Sequence, residues 1–163
     1  MILIDSSNQE EYLSYFGRNY QGNEKSLLIG NKHFWRSDLT IHRNSNWFVS
    51  IKMSSGRVIG TEAGNGDNLQ GYYLADGATY IMVRGDEYEN IFPIWNWKKI
   101  PGITTYQNDK PLPLLGWEGY RNESEFTGGL SKGLLGITAT QLERDSLSAK
   151  KAWFFFNDLM VCL

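Results

Sequence analysis

The run Asn46-Trp-Phe-Val-Ser-Ile-Lys-Met53 sets Trp47, Val49, Ile51 and Met53 on one parity and Phe48, Ser50 and Lys52 on the other. Successive side chains of a strand point to opposite faces, so this pattern predicts a strand whose odd positions enter a core. Leu134 to Leu142 alternates in the same way, and Ala152 to Leu163 is an almost unbroken apolar run. Two further strands are expected there, the second buried on both faces. Gln70 to Ala75 and Ala78 to Val83 flank Asp76-Gly77. That dipeptide tolerates positive φ, and between β-like runs it predicts a two-residue hairpin. Arg57-Val-Ile-Gly60 leads into Thr61-Glu-Ala-Gly-Asn-Gly-Asp-Asn68, whose turn-forming residues read as a loop between strands. Ile91 to Gly102 combines Phe92, Trp95 and Trp97 with Pro93 and Pro101, which suits an ordered surface segment with aromatics lining a groove better than a central strand. A helical pattern occurs once, over Asn8 to Phe16, where Glu10 and Glu11 precede Tyr12, Leu13 and Phe16.

These elements make the expected fold all-β: an antiparallel β-sandwich with little helix. A chain of 163 residues with 14% aromatic and 21% charged residues is long and apolar enough to bury a core as one domain or one piece of a larger one. Residues 1–29 read as a linker or partly helical lead-in plus a first strand, and residues 30–163 as an incomplete sandwich. The last residues, Val161-Cys162-Leu163, sit inside an apolar run, whereas domains usually end in polar, exposed residues. The expectation is therefore a piece cut from a longer protein. The net charge of -2 provides no long-range field for nucleic acid or anionic lipid, so neither is an expected partner. The single cysteine, Cys162, excludes an internal disulfide. No apolar stretch approaches the roughly 20 residues that span a bilayer, and the N-terminal apolar run is too short for a signal peptide.

Chemistry concentrates in Glu62-x-x-Asn65-x-Asp67-Asn68, a carboxylate and two amides on a glycine-containing loop. Polar side chains on such loops can converge on a ligand, and the same residues also make an ordinary polar turn. Pairing Glu62 with Asp67 or Asp76 as a hydrolase acid and base finds no support in spacing. His33 and His42 lie nine residues apart without a third ligand, and hydrogen-bonded structural roles fit them better than a metal site. Arg36, Arg43, Arg57, Arg84, Lys98 and Lys99 could clamp a carboxylate or sulfate; solvated or acid-paired cations are the plainer reading. Ser54, Ser55 and Ser131 lack the context of a nucleophile. The six tryptophans divide between core packing and flat platforms for sugar rings.

Taken in order, Trp47…Ser55-Gly-Arg57, Glu62-x-x-Asn65-x-Asp67-Asn68, Gly71-Tyr-Tyr, Asp76-Gly-Ala-Thr-Tyr80, Gly85-Asp-Glu-Tyr88 and Trp95-x-Trp-Lys-Lys-Ile-Pro-Gly102 resemble the central β-sandwich domain of polysaccharide lyase family 8. That family includes hyaluronate, chondroitin AC, chondroitin ABC and xanthan lyases. The Phe34-Trp-x-Ser-Asp38 and Trp-x-Trp-Lys forms are most similar to the chondroitin ABC type. The likeness runs from about residue 30 to the C-terminus and takes in Gly128-Gly129 and Lys151-Ala-Trp-Phe-Phe-Phe156. It departs at Asn96 and Ile103, where the family usually has Asp and Thr.

The resemblance implies a parent enzyme that cleaves uronic-acid-containing glycosaminoglycans by β-elimination. The polysaccharide lies between this sandwich and a preceding helical toroid that carries the His, Tyr and Arg of proton transfer. Glu62 would orient the toroid Arg and Asn65 would face the substrate, both in supporting roles. Arg57, Asn68, Trp95, Trp97 and Lys98 are the candidate glycan contacts. No protein metal site or cofactor is evident, and calcium or magnesium stays open as an ordering ion. The expected partners are the glycosaminoglycan, the toroid and downstream β-domains, and the parent would be secreted or periplasmic. By itself the chain is expected to be inert. The rival reading is a non-catalytic carbohydrate-binding module, to which the tryptophans and the near-neutral charge also point.

Overall fold

The computed structural model describes Glu10, Leu13, Ser14 and residues 28–163. The helix expected over Asn8 to Phe16 lies outside these residues except at those first three positions, whose backbone is helical. Eight strands follow: β1 (Gly30–Phe34), β2 (Leu39–Arg43), β3 (Phe48–Lys52), β4 (Ala78–Met82), β5 (Thr127–Lys132), β6 (Leu135–Arg144), β7 (Leu147–Phe155) and β8 (Met160–Cys162). They form two four-stranded sheets, in the orders β1-β2-β3-β4 and β5-β6-β7-β8. Every pairing is antiparallel, and the all-β sandwich expected from the sequence is the architecture found.

Alternation through β3 and the residue after it places Val49, Ile51 and Met53 in the core, where they meet Trp153 and Phe155 of β7, with Trp47 and Met160 packed against them. All five central residues are buried; truncating a buried aromatic such as Trp153 to Ala costs about 3–5 kcal/mol in comparable cores. Away from this apolar centre the sheets are joined by a polar seam. Thr40 of β2 donates to the Thr138 hydroxyl of β6 at 3.0 Å, and Thr138 lies 2.9 Å from the Gly128 carbonyl of β5. Asn31 N–H reaches the Gly133 carbonyl at 2.7 Å, and Ser131 donates to Asn31 Oδ1 at 2.6 Å. The hydroxyls of this seam and Asn31 Oδ1 are hydrogen-bonded, as buried polar groups usually are, while Asn31 Nδ2 is buried without a partner among the described residues.

Two expectations are corrected. Asp76-Gly77 does not close a hairpin. Residues 70–75 form turns, and β4 pairs with β3. Gly77 (φ 94°) donates to the Lys52 carbonyl at 2.9 Å and so extends that ladder. The Asp76 carboxylate is buried against Arg144, a long-range pairing that overrides the local turn signal. The second correction concerns Ala152 to Leu163, which is not one strand buried on both faces. It breaks at Asn157-Asp158 into β7 and the short β8, with Phe156 N–H bonded to the Leu159 carbonyl at 2.8 Å. Val161 and Leu163 are exposed.

The outer edge of β4 is covered by the segment that follows it. Ile81 N–H bonds the Tyr88 hydroxyl and Thr79 N–H bonds the Pro101 carbonyl. The Glu87 carboxylate accepts from the N–H groups of Val83, Arg84 and Gly85 at 2.7, 2.7 and 2.9 Å. These amides hold its pKa down at about 2, because hydrogen bonds to the charged form favour it. An edge so occupied no longer offers a free ladder to another chain.

His42 is completely buried in β2, its ring 5.1 Å from that of Trp47 and stacked 5.3 Å from that of Phe155. Burial lowers its pKa below 6.5, and the Asn157 backbone only partly opposes this. The folded chain therefore takes up the His42 proton at lower pH than the unfolded chain does. The stability it confers is complete above 6.5 and falls as pH drops toward the folded value, by at most about 1.4 kcal/mol per pH unit. The stability difference between the native chain and His42→Leu, measured by urea unfolding at stepped pH, should shrink on acidification below 6.5. A pH-independent difference would contradict this.

Candidate functional site

The long connection from β3 to β4 carries the Glu62–Asn68 loop. Its incoming foot is fixed by an antiparallel bridge between Thr61 and Tyr120, with Gly60 N–H on the Tyr120 carbonyl at 2.7 Å and Tyr120 N–H on the Thr61 carbonyl at 2.8 Å. Within the loop, Glu62 Oε2 accepts from Gly64 N–H at 3.1 Å, and Asn68 Nδ2 donates to the Glu62 carbonyl at 3.2 Å. Asn65 is tied to Asp67 twice, through Nδ2 to Oδ2 at 2.7 Å and from Asp67 N–H to Oδ1 at 3.3 Å. Asn68 takes a left-handed φ of 56°, which Asn tolerates better than most residues.

Two glycines make this packing sterically feasible. A Cβ on Gly64 would lie 2.1 Å from the Trp117 ring, and one on Gly71 would lie 1.9 Å from Asn68 Oδ1. Trp117 therefore lies directly on the loop while remaining 67% exposed. Glu62 is half-buried and Asn65 is exposed. Glu62 and Asn68 line a shallow cleft with Leu69, Tyr72 and Pro113 to Leu115; Asn65 stands outside it.

The outgoing foot, Tyr72-Tyr73, rests on Arg144 at the end of β6. The guanidinium carbon lies 3.5 Å from the Tyr120 ring centre, 4.4 Å from Tyr72 and 5.3 Å from Tyr73. Arg144 Nη2 donates to Asp76 Oδ1 at 2.8 Å, and both side chains are more than nine-tenths buried. Burial pushes the Asp76 carboxyl up to about 7, against the pull of Arg144 and Lys151. Burial likewise raises the Tyr72 and Tyr120 hydroxyls, and Arg144 opposes both shifts. Tyr72 and Tyr120 thus stay neutral at physiological pH, and with Tyr73 they present ring faces to the cation.

The other candidate residues fall into separate groups. Arg57 bridges the sheets: it donates to Asp38 (3.5 Å), to the Glu125 carbonyl and carboxylate (2.7 and 3.3 Å) and to the Thr127 carbonyl (3.2 Å). Asp38, fully buried, also accepts from Ser55 at 2.6 Å. Trp95 and Trp97 are half-buried in a cluster with Tyr80, Tyr88 and Phe92, the ring centres 5.1 to 6.0 Å apart. Lys98 directs its ammonium to the carbonyl and side-chain oxygen of Asn108 (2.7 and 3.2 Å) and to the Lys110 carbonyl. It lines a cleft of about 230 Å³ with Tyr72, Tyr73, Thr104 to Tyr106 and Arg144. Among the described residues no three His, Cys, Asp or Glu side chains converge as a metal site would need. No helix there is long and apolar enough to cross a membrane.

Residues 29–163 match the super-sandwich domain of polysaccharide lyase family 8. The chain belongs to polysaccharide lyase family 8. It is 43% identical to the chondroitinase AC of Pedobacter heparinus over 165 residues, covering 99% of this chain and 23% of that enzyme. Against a hyaluronate lyase of Thermasporomyces composti it is 29% identical, covering 83% of this chain and 18% of the relative. A solved chondroitinase AC lyase, studied in oligosaccharide complexes, superposes with a TM-score of 0.80 at 41% identity, covering 98% of this chain and 24% of that one. The chain thus spans between about a fifth and a quarter of the length of these family 8 lyases.

Sequence reasoning missed the Arg144–Asp76 pair. Its signal was present: Thr138, Thr140, Leu142 and Arg144 share the buried parity of β6, and a charge on a buried parity needs a partner. The loop's dependence on two glycines gives a direct check. Gly64→Ala should lift the Trp117 indole and raise its accessibility to acrylamide quenching, and Gly71→Ala should displace Asn68 and lower the melting temperature. Unchanged quenching in a folded Gly64→Ala protein would contradict the contact.

Proposed function

We propose that this chain forms the sandwich side of a substrate cleft in a lyase that cleaves uronic-acid-containing glycosaminoglycans, chondroitin, dermatan or hyaluronan, by β-elimination. The observation that carries the reading is the placement of Glu62 and Asn65: a half-buried carboxylate and an exposed amide on a cross-linked loop of a family 8 sandwich.

Elimination across a uronate requires neutralisation of the C6 carboxylate, a base for the C5 proton and an acid for the leaving oxygen. In this reading those proton-transfer groups lie on a helical toroid of the longer polypeptide. Glu62 supplies a carboxylate that sets the direction of a guanidinium across the cleft, and Asn65 supplies hydrogen bonds to the sugar. Asn68 supports Glu62 from behind through its carbonyl. Arg57, Trp95, Trp97 and Lys98 remain proposed glycan contacts, through whatever donor capacity and ring surface their protein partners leave. Calcium or magnesium would act only in ordering a loop. The parent is proposed to be exported, as an enzyme of extracellular polysaccharide must be to reach its substrate.

One feature favours the rival reading of a carbohydrate-binding module: the largely exposed Trp117 lies on the loop itself and offers a flat face to a sugar ring. Turnover separates the two. The isolated chain should give no rise in the ultraviolet absorbance of unsaturated uronate product. In the full-length polypeptide Glu62→Gln should lower kcat by about 10- to 100-fold, because misplacing an orienting group costs on that order. Unimpaired turnover in Glu62→Gln, or cleavage by the isolated chain, would overturn the composite site. Glycan binding retained by the isolated chain and lost in Trp117→Ala would support the module instead.

A further inference from the structure

We propose that Arg144 is a positioning residue for the Glu62–Asn65 loop, holding both of its feet at one point. The inference rests on the reading above only for its catalytic consequence; the geometry stands without it.

The loop leaves the sandwich at Thr61 and returns at Tyr72-Tyr73. Thr61 is bridged to Tyr120, whose ring lies under the guanidinium at 3.5 Å. Tyr72 and Tyr73 pack on the same guanidinium at 4.4 and 5.3 Å. The Thr61 hydroxyl reaches the Tyr72 carbonyl at 3.4 Å, so the two feet also touch each other beside the cation. Asp76, three residues past Tyr73, fixes the group in-plane through its 2.8 Å ion pair. Arg144 is itself anchored, because it ends β6 opposite Leu147 of β7 in the longest ladder of the fold.

The chemistry of the group matters as much as its place. A guanidinium is flat and weakly hydrated, so it can meet aromatic faces and a carboxylate at once. Among the described residues its Nε and Nη1 are buried without a hydrogen-bond partner. Those donors lie among the rings, so the tyrosine faces and the Asp76 ion pair together define the guanidinium's orientation. An ammonium in its place keeps the charge and loses the plane. Displacing the guanidinium therefore releases Tyr72 and Tyr73, and with them the segment whose Asn68 holds the Glu62 carbonyl.

The test reads the loop directly. Trp117 packs on Gly64, so in 5-fluorotryptophan-labelled chain its fluorine resonance, assigned with Trp117→Phe, reports loop position, while Trp153 in the core reports folding. Arg144→Lys and the double variant Arg144→Met with Asp76→Asn, which leaves no orphaned buried charge, should shift or broaden the Trp117 resonance and leave that of Trp153 in place. A Trp117 resonance unmoved in either folded variant overturns the proposal. Should the double variant lose the Trp153 signal, Tyr72→Leu and Tyr73→Leu, which keep the ion pair and remove ring contacts, decide the matter by the same reading. In the full-length polypeptide, Arg144→Lys should then lower kcat by about tenfold or more with KM little changed. A moved Trp117 with normal turnover would leave Arg144's hold on the loop standing and remove the loop's part in catalysis.

Discussion

A guanidinium buried among three tyrosine rings, 2.8 Å from a buried carboxylate, is the constraint on which the Glu62–Asn68 side of this sandwich turns. Desolvating two charges is expensive, and their attraction recovers that cost only when geometry is good and the remaining surfaces are well packed. Here the ring faces take the place of water around Arg144, while Lys151 lends a second positive charge to Asp76. Lys151 Nζ also bonds the Gly102 carbonyl, so the region ties β4, β6, β7 and the 91–102 segment together. The loop that bears Glu62 and Asn65 hangs from this point.

The rest of the molecule is arranged so that a long excursion between β3 and β4 can be rigid. The apolar centre of Val49, Ile51, Met53, Trp153 and Phe155 fixes the sheets face to face. The hydroxyl seam of Thr40 and Thr138 fixes how β2 lies over β6. Twenty-five residues, 53–77, separate the two strands. They stay ordered because Tyr120, Trp117 and Arg144 grip them from elements far along the chain, so that the sandwich presents polar side chains on a stiff support, as pre-organised sites require.

Much of this was legible in the residues. Odd-parity hydrophobics located β3 and its buried face, and alternation located β6. The order of polar, glycine and aromatic motifs by itself points to family 8. β1 and β2 were not legible from hydrophobicity, because Asn31, Thr40 and His42 occupy buried positions and their apolar period is masked by polar groups whose burial depends on partners elsewhere in the fold. Asp76-Gly77 misled for the opposite reason: a strong local turn signal yields to an ion pair with a residue 68 positions away. Arg57 and Lys98 read in sequence as solvated or acid-paired cations, and Arg57 is paired with Asp38 and Glu125. Half of the Arg57 contacts and most of those of Lys98 go to backbone carbonyls, partners set by the path of distant segments that no motif encodes.

The central claim is that the Glu62–Asn68 loop faces glycan in the assembled enzyme. Hydrogen–deuterium exchange of the full-length polypeptide, with and without a chondroitin oligosaccharide, examines that contact most directly. The account predicts slowed exchange concentrated in residues 62–71, together with the segment bearing Trp117. Protection confined to the aromatic segment 91–98, with residues 62–71 exchanging as they do without ligand, would contradict it.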